Sequence, residues 1–302
     1  KNMKNNIAVI GLGSMGYGIA TSCLRSGHLV WGVDTNIDQV KAFCSQGGQA
    51  TTLNSVIDKI DVVVVVVLNS VQTEEVLFGQ EGLVENLKPG TVVISCATVA
   101  PTFAIDMERR CKEFEIFYLD APISGGALKA KNGQLSIMAS GVKEAFQHAR
   151  PTLDSISETV FELGDEAGTG SAMKSVNQLL AGVHIAVMAE ALTFGISQGI
   201  SPDKFVEVIS KCAGTSWMLE NRAPHIVNGD YKPHSSINIW PKDLGIVLDV
   251  ALESKFNAPI ATAALEQFRT AVDMGLGFED DAAVAKVYAK SANLSLPKKN
   301  DV

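Results

Sequence analysis

Residues 6–16 read NIAVIGLGSMG, and this stretch decides the fold of the first half of the chain. The apolar run at its start predicts a buried strand, and the glycine-rich turn that follows leads directly into a helical pattern that continues to about Ser26. A second apolar run, residues 29–33, predicts the next strand and ends in Asp34. Strand, glycine turn, helix and strand in this order predict one βαβ unit of a parallel sheet.

The glycines of this turn are spaced as Gly11-x-Gly13-x-x-Gly16, and each has its own physical task. Gly11 permits the tight turn, Gly13 lets the backbone approach a pyrophosphate, and Gly16 lets the helix pack closely on the strand. Asp34 follows about 20 residues later, where a carboxylate would accept hydrogen bonds from an adenosine ribose and repel a 2′-phosphate. The pattern therefore predicts NAD rather than NADP; a turn without a ligand is the alternative. The predicted cofactor-binding residues here are Gly11, Leu12, Gly13, Ser14, Met15, Gly16 and Asp34.

Strand and helix patterns alternate up to residue 164, and only helical patterns follow. Uniform β-branched runs indicate parallel strands that are covered on both faces. We predict two further strands, residues 135–140 and 159–163, that extend the same sheet. The expected fold is α/β: an N-terminal Rossmann domain with a doubly wound parallel sheet, residues 1–165, and an all-helical substrate and oligomerisation domain, residues 166–302, joined through a long interdomain helix.

That long helix is predicted over residues 168–198 and is apolar on almost every side, so we expect it to be buried. Its polar interruptions, Lys174, Asn177 and Gln178, share one stripe. Burial disfavours the ammonium form of a lysine and lowers its pKa toward neutrality, as exchange of a proton with a substrate hydroxyl requires. A lysine that extends to water is the alternative. At the domain junction, Lys174 should face the cofactor cleft.

The loops after the predicted strands supply further candidate residues. In an open parallel sheet these loops line the ligand crevice, so Leu68, Asn69 and Thr98 should border the dinucleotide. Ser124-Gly125-Gly126 offers a hydroxyl and unhindered backbone N–H groups, a combination that can hold a carboxylate. A tight turn would explain the two glycines equally well.

Composition limits the partners of the chain. Thirty-three acidic and 25 basic residues give 302 residues a formal charge of −8, which argues against nucleic acid or an anionic membrane. Five scattered cysteines without CxxC spacing indicate reduced thiols in the cytoplasm and no metal site. The first apolar run is too short for a signal peptide, and the most apolar segment, residues 62–68, is too short to span a bilayer. Small diffusible ligands are expected.

Four motifs in order, GLGSMG, DAPISGG, GTGSAMKSVNQ and GTSWMLENRAP followed by KDL, resemble the β-hydroxyacid dehydrogenases, the family of the 3-hydroxyisobutyrate and tartronate semialdehyde enzymes. The resemblance covers nearly the whole chain. It implies a homodimer or homotetramer that acts on a small hydroxy acid. It also implies roles for named residues: Lys174 as catalytic general acid/base, Ser124, Gly125 and Gly126 as carboxylate ligands, Asn177 as the residue that orients the substrate, and Thr98 and Lys242 beside the nicotinamide.

The resemblance implies NAD-dependent oxidation of the hydroxyl of a small sugar acid to a ketone, with L-threonate as the first candidate. A 3-hydroxyisobutyrate, tartronate semialdehyde or glycerate type of acid is the alternative. Where many family members carry an aromatic residue two positions after the proline, this chain has Pro233-His234-Ser235, which favours a more polar pocket, as a polyhydroxylated substrate would require. A surface loop would explain His234 equally well. A dinucleotide-binding protein without turnover would lack Lys174, and imine-reducing relatives usually replace it. Asp243 is expected to pair locally and is assigned no chemistry.

Overall fold

The computed structural model describes residues 4–299, which divide into two compact units. The first unit ends at Lys174 and the second begins at Ser175. The predicted boundary at residue 165 marks the end of the mixed strand and helix pattern and stays a prediction.

The first unit contains a five-stranded parallel sheet in the order β2-β1-β3-β4-β5. All four valines of β3 are fully buried, because both faces of this central strand are covered by helices and loops. The prediction of a doubly wound α/β domain is confirmed. Its elements are β1 (Asn6–Ile10), α1 (Ser14–Arg25), β2 (Leu29–Val33), α2 (Ile37–Ser45), β3 (Val62–Val65), α3 (Ser70–Phe78), β4 (Val92–Ser95), α4 (Pro101–Lys112) and β5 (Phe117–Asp120).

The remainder of the first unit corrects one prediction, since the later strands do not extend this sheet. They form a second sheet of three strands in the order β6-β7-β8, in which β6 and β7 are antiparallel. β7 runs antiparallel to the segment that leads from β5 into β6: Asp120 and Ser140 exchange two backbone hydrogen bonds, and the N–H of Met138 donates to the carbonyl oxygen of Pro122. The later strands therefore branch from the end of β5 and add no parallel strand beside it. The elements here are β6 (Ile123–Ser124), α5 (Gly126–Asn132), β7 (Leu135–Ala139), α6 (Lys143–Ile156) and β8 (Ser157–Glu162).

The described part of the second unit is built from helices, as predicted. Its core forms where Ile185, Met188 and Leu192 of the long helix pack with Trp240, whose ring stacks on Phe268 at 5.6 Å. The helices are α7 (Thr169–Ser197), which begins in the first unit, α8 (Pro202–Ile209), α9 (Trp217–Val227), α10 (Ile239–Glu253), α11 (Pro259–Asp273) and α12 (Ala285–Ser291).

The expectation that α7 is buried on almost every side is wrong. Val176, Leu180, Val187 and Phe194 are between 49% and 66% exposed. Their spacing of four and seven residues places them within about 40° of one another around the helix. An α-helix can turn only part of its circumference toward one core, so an all-apolar sequence leaves a stripe of apolar side chains at the surface.

By length and composition, α7 is also the one helix within residues 4–299 that could cross a membrane. The core helix of a globular protein passes the same test. Ile185 and Leu192 of α7 are fully buried in the second core. We therefore interpret α7 as a core helix.

Candidate active site

The three glycines of the turn after β1 differ in what surrounds them. At Gly11 φ is +96°, and a Cβ would lie 2.2 Å from the carbonyl oxygen of Val66. At Gly16 a Cβ would lie 1.8 Å from the carbonyl oxygen of Gly11, so the start of α1 approaches the turn closely. A Cβ at Gly13 would meet nothing within 4 Å. The turn and the packing therefore require Gly11 and Gly16, whereas the space at Gly13 is open to a ligand, as a pyrophosphate would need.

Asp34, at the end of β2, is tied directly to this turn. Its Oδ2 accepts a hydrogen bond from the backbone N–H of Leu12 at 2.6 Å, and its Oδ1 accepts one from the N–H of Asn36 at 2.7 Å. These bonds hold the carboxylate half-buried beside the glycine turn. The arrangement fits an acid that binds the ribose of a dinucleotide.

The other predicted cofactor residues of the first unit lie after the carboxyl ends of β1, β3 and β4, which share one edge of the sheet because the strands are parallel. Ser14 opens α1 and is exposed, whereas the side chain of Met15 packs against the first core. Asn69 caps α3 by accepting from the N–H of Gln72. Leu12 is buried, so only its backbone could face a ligand; Leu68 is exposed and Thr98 half-buried. Together these residues fit NAD.

Asp120 anchors the beginning of α7. Its Oδ2 accepts from the N–H groups of Gly168 at 3.0 Å and Ser171 at 2.8 Å, and its Oδ1 accepts from Ser171 Oγ at 2.6 Å. Burial raises the pKa of Asp120 above its ordinary value, and the hydrogen bonds from Ser171 oppose that rise. The N-terminal N–H groups of a helix need acceptors, and this carboxylate supplies one.

Lys174 follows one turn later and is 7% exposed. Its Nζ donates a hydrogen bond to the carbonyl oxygen of Ile123 at 2.8 Å. Ile123 immediately precedes Ser124-Gly125-Gly126, so the lysine and the predicted carboxylate loop lie together in the first unit. Gly125 and Gly126 have φ of +135° and +78°, which L side chains rarely adopt. The two glycines therefore let this loop turn into α5.

In the second unit, Asn177 and Lys242 belong to one polar network. Asn177 Nδ2 donates to Gln178 Oε1 at 2.9 Å, and Gln178 Nε2 donates to Asp243 Oδ2 at 2.7 Å. Lys242 Nζ lies 2.9 Å from Asp243 Oδ1. The expectation for Asp243 was incomplete, because this carboxylate pairs both with its neighbour and with a residue of another helix.

A second acidic cluster, Asp280 and Asp281, is fully buried near the C-terminal helix. Asp281 binds Arg222 and the indole N–H of Trp240, and burial raises its pKa while Arg222 opposes the rise. Burial would raise the pKa of Asp280 too, but hydrogen bonds from His225 Nδ1 at 2.8 Å and from a backbone N–H outweigh it and hold the pKa below its ordinary value. The cluster ties α9 to the segment before α12.

Sequence reasoning gave no role to Asp120, Gln178 or this acidic cluster. Asp120 stands in the DAPISGG motif, and its position at a strand end could have marked it. The Asp-Asp pair before a run of small apolar residues is a weaker signal. Their partners are 51 to 65 residues away along the chain, so no local pattern reveals the contacts.

Two family models match the chain. Residues 6–164 match the NAD-binding domain of 6-phosphogluconate dehydrogenase, and residues 168–288 match the NAD-binding model of NADP-dependent 3-hydroxyisobutyrate dehydrogenase. Together they span both the parallel-sheet region and the helical region.

Individual relatives are similar over nearly their whole length. The L-threonate dehydrogenase of Cupriavidus necator is 46% identical over 95% of this chain and 97% of the relative. The L-threonate dehydrogenase of Escherichia coli K12 is 42% identical over 94% and 95%. Among solved structures, a 3-hydroxyisobutyrate dehydrogenase from Salmonella typhimurium has a TM-score of 0.88 and 40% identity, covering 93% of this chain and 99% of that one.

Proposed function

Since the chain belongs to the β-hydroxyacid dehydrogenase family and is an NAD-dependent oxidoreductase, we propose that it oxidises the 2-hydroxyl of L-threonate to the 2-oxo acid, with Lys174 as general acid/base.

The main support for Lys174 as the general acid/base is the hydrogen bond from its Nζ to the carbonyl oxygen of Ile123 at 2.8 Å. It keeps the amine beside the loop that offers Ser124 Oγ and the N–H groups of Gly125 and Gly126. A hydroxy acid whose carboxylate is held by this loop would present its 2-hydroxyl, one carbon away, to a nearby base. A lysine that extended to water would not be 7% exposed and bound to a backbone carbonyl.

The proposed steps follow from these groups. Ser124 Oγ and the N–H groups of Gly125 and Gly126 donate hydrogen bonds to the carboxylate and fix the acid end of the substrate. Asn177 orients the hydroxyl. Lys174 Nζ, in its neutral form, takes the hydroxyl proton during oxidation and returns it during reduction. The chemistry that NAD supplies when bound is acceptance of a hydride.

L-threonate is the preferred substrate because 46% identity over nearly the whole length relates this chain to an enzyme of that name. Ser235, in place of an aromatic residue, is compatible with a substrate that carries several hydroxyl groups. The second candidate is 3-hydroxyisobutyrate, because a protein of 40% identity with that activity in its name has the same fold. Acids of the tartronate semialdehyde or glycerate type complete the alternatives.

The test of the substrate is a panel of three- and four-carbon hydroxy acids with NAD and with NADP, followed by the absorbance of the reduced cofactor. We expect the highest kcat/KM for L-threonate with NAD. A higher kcat/KM for 3-hydroxyisobutyrate or glycerate would reassign the substrate within the family.

The test of the mechanism is Lys174→Ala, which should lower kcat by about 10²–10⁴-fold and leave NAD binding intact. Lys174→Arg should not restore activity, because a guanidinium stays charged and cannot accept the proton. Lys131→Ala is the matched control, since Lys131 is exposed and should tolerate the change. More than about a tenth of wild-type kcat in Lys174→Ala would point to another base.

We also propose a homodimer or homotetramer in the cytoplasm. The exposed side chains of Val176, Leu180, Val187 and Phe194 share one side of α7, and apolar stripes of this kind are commonly covered by subunit contacts. All five cysteines are free, which supports a reducing compartment such as the cytoplasm. Light scattering should give a mass above that of one chain, and Val187→Glu should lower it. A monomer in the wild type would exclude the assembly.

A further inference from the structure

Two buried side chains without an assigned role, Gln178 and Asp243, connect Asn177 to Lys242. Gln178 is 8% exposed and Asp243 is 3% exposed. Asn177 Nδ2 donates to Gln178 Oε1 at 2.9 Å, and Gln178 Nε2 donates to Asp243 Oδ2 at 2.7 Å. Lys242 Nζ forms an ion pair with Asp243 Oδ1 at 2.9 Å. Buried polar groups joined in this way hold each other in a single arrangement.

The direction of the hydrogen bonds in this network follows from chemistry. A carboxylate only accepts hydrogen bonds, so Gln178 must turn its NH₂ group toward Asp243 and its carbonyl oxygen toward Asn177. Asn177 must then turn its NH₂ group toward Gln178. If the Asn177 amide rotated by half a turn, its Oδ1 would face Gln178 Oε1, and two acceptors would meet at about hydrogen-bond distance.

We infer that Gln178, held by Asp243, is a positioning residue that keeps the Asn177 amide in one orientation, with Oδ1 turned away from Gln178 and toward a hydroxyl of the substrate. The inference rests on the proposed role of Asn177. It adds a requirement on the substrate, which must offer a hydroxyl hydrogen to Oδ1. A polyhydroxylated acid meets this requirement.

The first test is Gln178→Met, which keeps the length of the side chain and removes both amide atoms. We expect kcat/KM for the acid to fall about tenfold or more, as for loss of a hydrogen bond that orients a reacting group. The Kd of NAD and the melting temperature should change little. Gln198→Met, the same change at an exposed position just past the end of α7, should behave as wild type.

A double-mutant cycle separates positioning from a general structural effect. If Gln178 acts through Asn177, Gln178→Met should have no further effect on kcat/KM in an Asn177→Ala background. An equal loss in both backgrounds would overturn the inference. Wild-type kcat/KM in Asn177→Ala alone would also overturn the inference. The proposed reaction itself is tested separately, by Lys174→Ala and by the substrate panel.

The second test exchanges the charged and the neutral member of the pair. Gln178→Glu places two carboxylates side by side and should lower kcat/KM. In the double variant Gln178→Glu with Asp243→Asn, the amide at position 243 can donate to one oxygen of the carboxylate at position 178. The other oxygen of that carboxylate still accepts from Asn177. The double variant should therefore recover activity relative to Gln178→Glu. No recovery, with an unchanged melting temperature, would contradict the inferred direction of the network.

Discussion

Removing the carboxylate of Asp120 should loosen the start of α7. Asp120→Ala deletes the acceptor of three hydrogen bonds, from the N–H groups of Gly168 and Ser171 and from Ser171 Oγ. A hydrogen bond to a charged group contributes about 1.5–3 kcal/mol. Burial of the carboxylate, which raises the pKa of Asp120, costs free energy and offsets part of this gain. We therefore expect a loss of about 3–5 kcal/mol in the free energy of unfolding.

Function should fall with stability, because Lys174 lies one turn beyond Ser171. A displacement of about 1 Å at a reacting group can cost about 10²-fold in rate. At a temperature where Asp120→Ala remains folded, kcat should therefore fall by about tenfold to hundredfold.

Urea unfolding followed by circular dichroism and by tryptophan fluorescence measures the stability, and the two probes also test whether unfolding is two-state. Asp106→Ala is the control, since this half-buried carboxylate forms ion pairs with Arg109 and Arg110 on the surface of α4 and its loss should cost less than about 1 kcal/mol. Asp120→Asn should be mild, because its carbonyl can keep both backbone bonds and its NH₂ can donate to Ser171 Oγ. If Asp120→Ala lost no more stability than Asp106→Ala, the anchoring role would be refuted.

Three further predictions concern the cofactor, the carboxylate loop and the acidic cluster. Asp34→Ala should raise the ratio of kcat/KM with NADP to kcat/KM with NAD at least about tenfold, because the Asp34 carboxylate and the 2′-phosphate of NADP are like charges, whose repulsion across an interface costs several kcal/mol. An unchanged ratio would show that Asp34 does not select the cofactor. Gly126→Ala should raise the KM for the acid and leave the Kd of NAD unchanged. A Cβ at this position would meet nothing within 4 Å, but the φ of +78° makes any side chain there costly, by about 1–2 kcal/mol. Weaker NAD binding instead would give the loop another role. Asp280→Asn should lower the free energy of unfolding at pH 7. Because the pKa of Asp280 is held below its ordinary 3.8, the stabilisation by its carboxylate should be lost only as the pH falls below about 4. In that range the urea unfolding curves of the variant and the wild type should converge.

Local patterns along the chain were sufficient for the parallel sheet and the glycine turn. Five strands, each a short buried run, follow from apolar periodicity, and the tasks of Gly11, Gly13 and Gly16 follow from the absence of a Cβ. Helix α6 could also have been predicted, since Phe146, Ala149 and Leu153 repeat at helical spacing.

Tertiary structure alone decided the rest, because it depends on partners distant in sequence. β7 pairs with β6 and bridges to Asp120 at the end of β5, and this pairing depends on how the chain folds back after α5. The anchoring of α7 by Asp120 joins residues 51 positions apart, and the contact of Gln178 with Asp243 joins residues 65 positions apart. The apolar sequence of α7 indicated burial on every side, yet which of its faces meets the core is set by the helices packed around it. Composition and periodicity determine which residues can be buried and which can react; only the packed chain determines which of them meet.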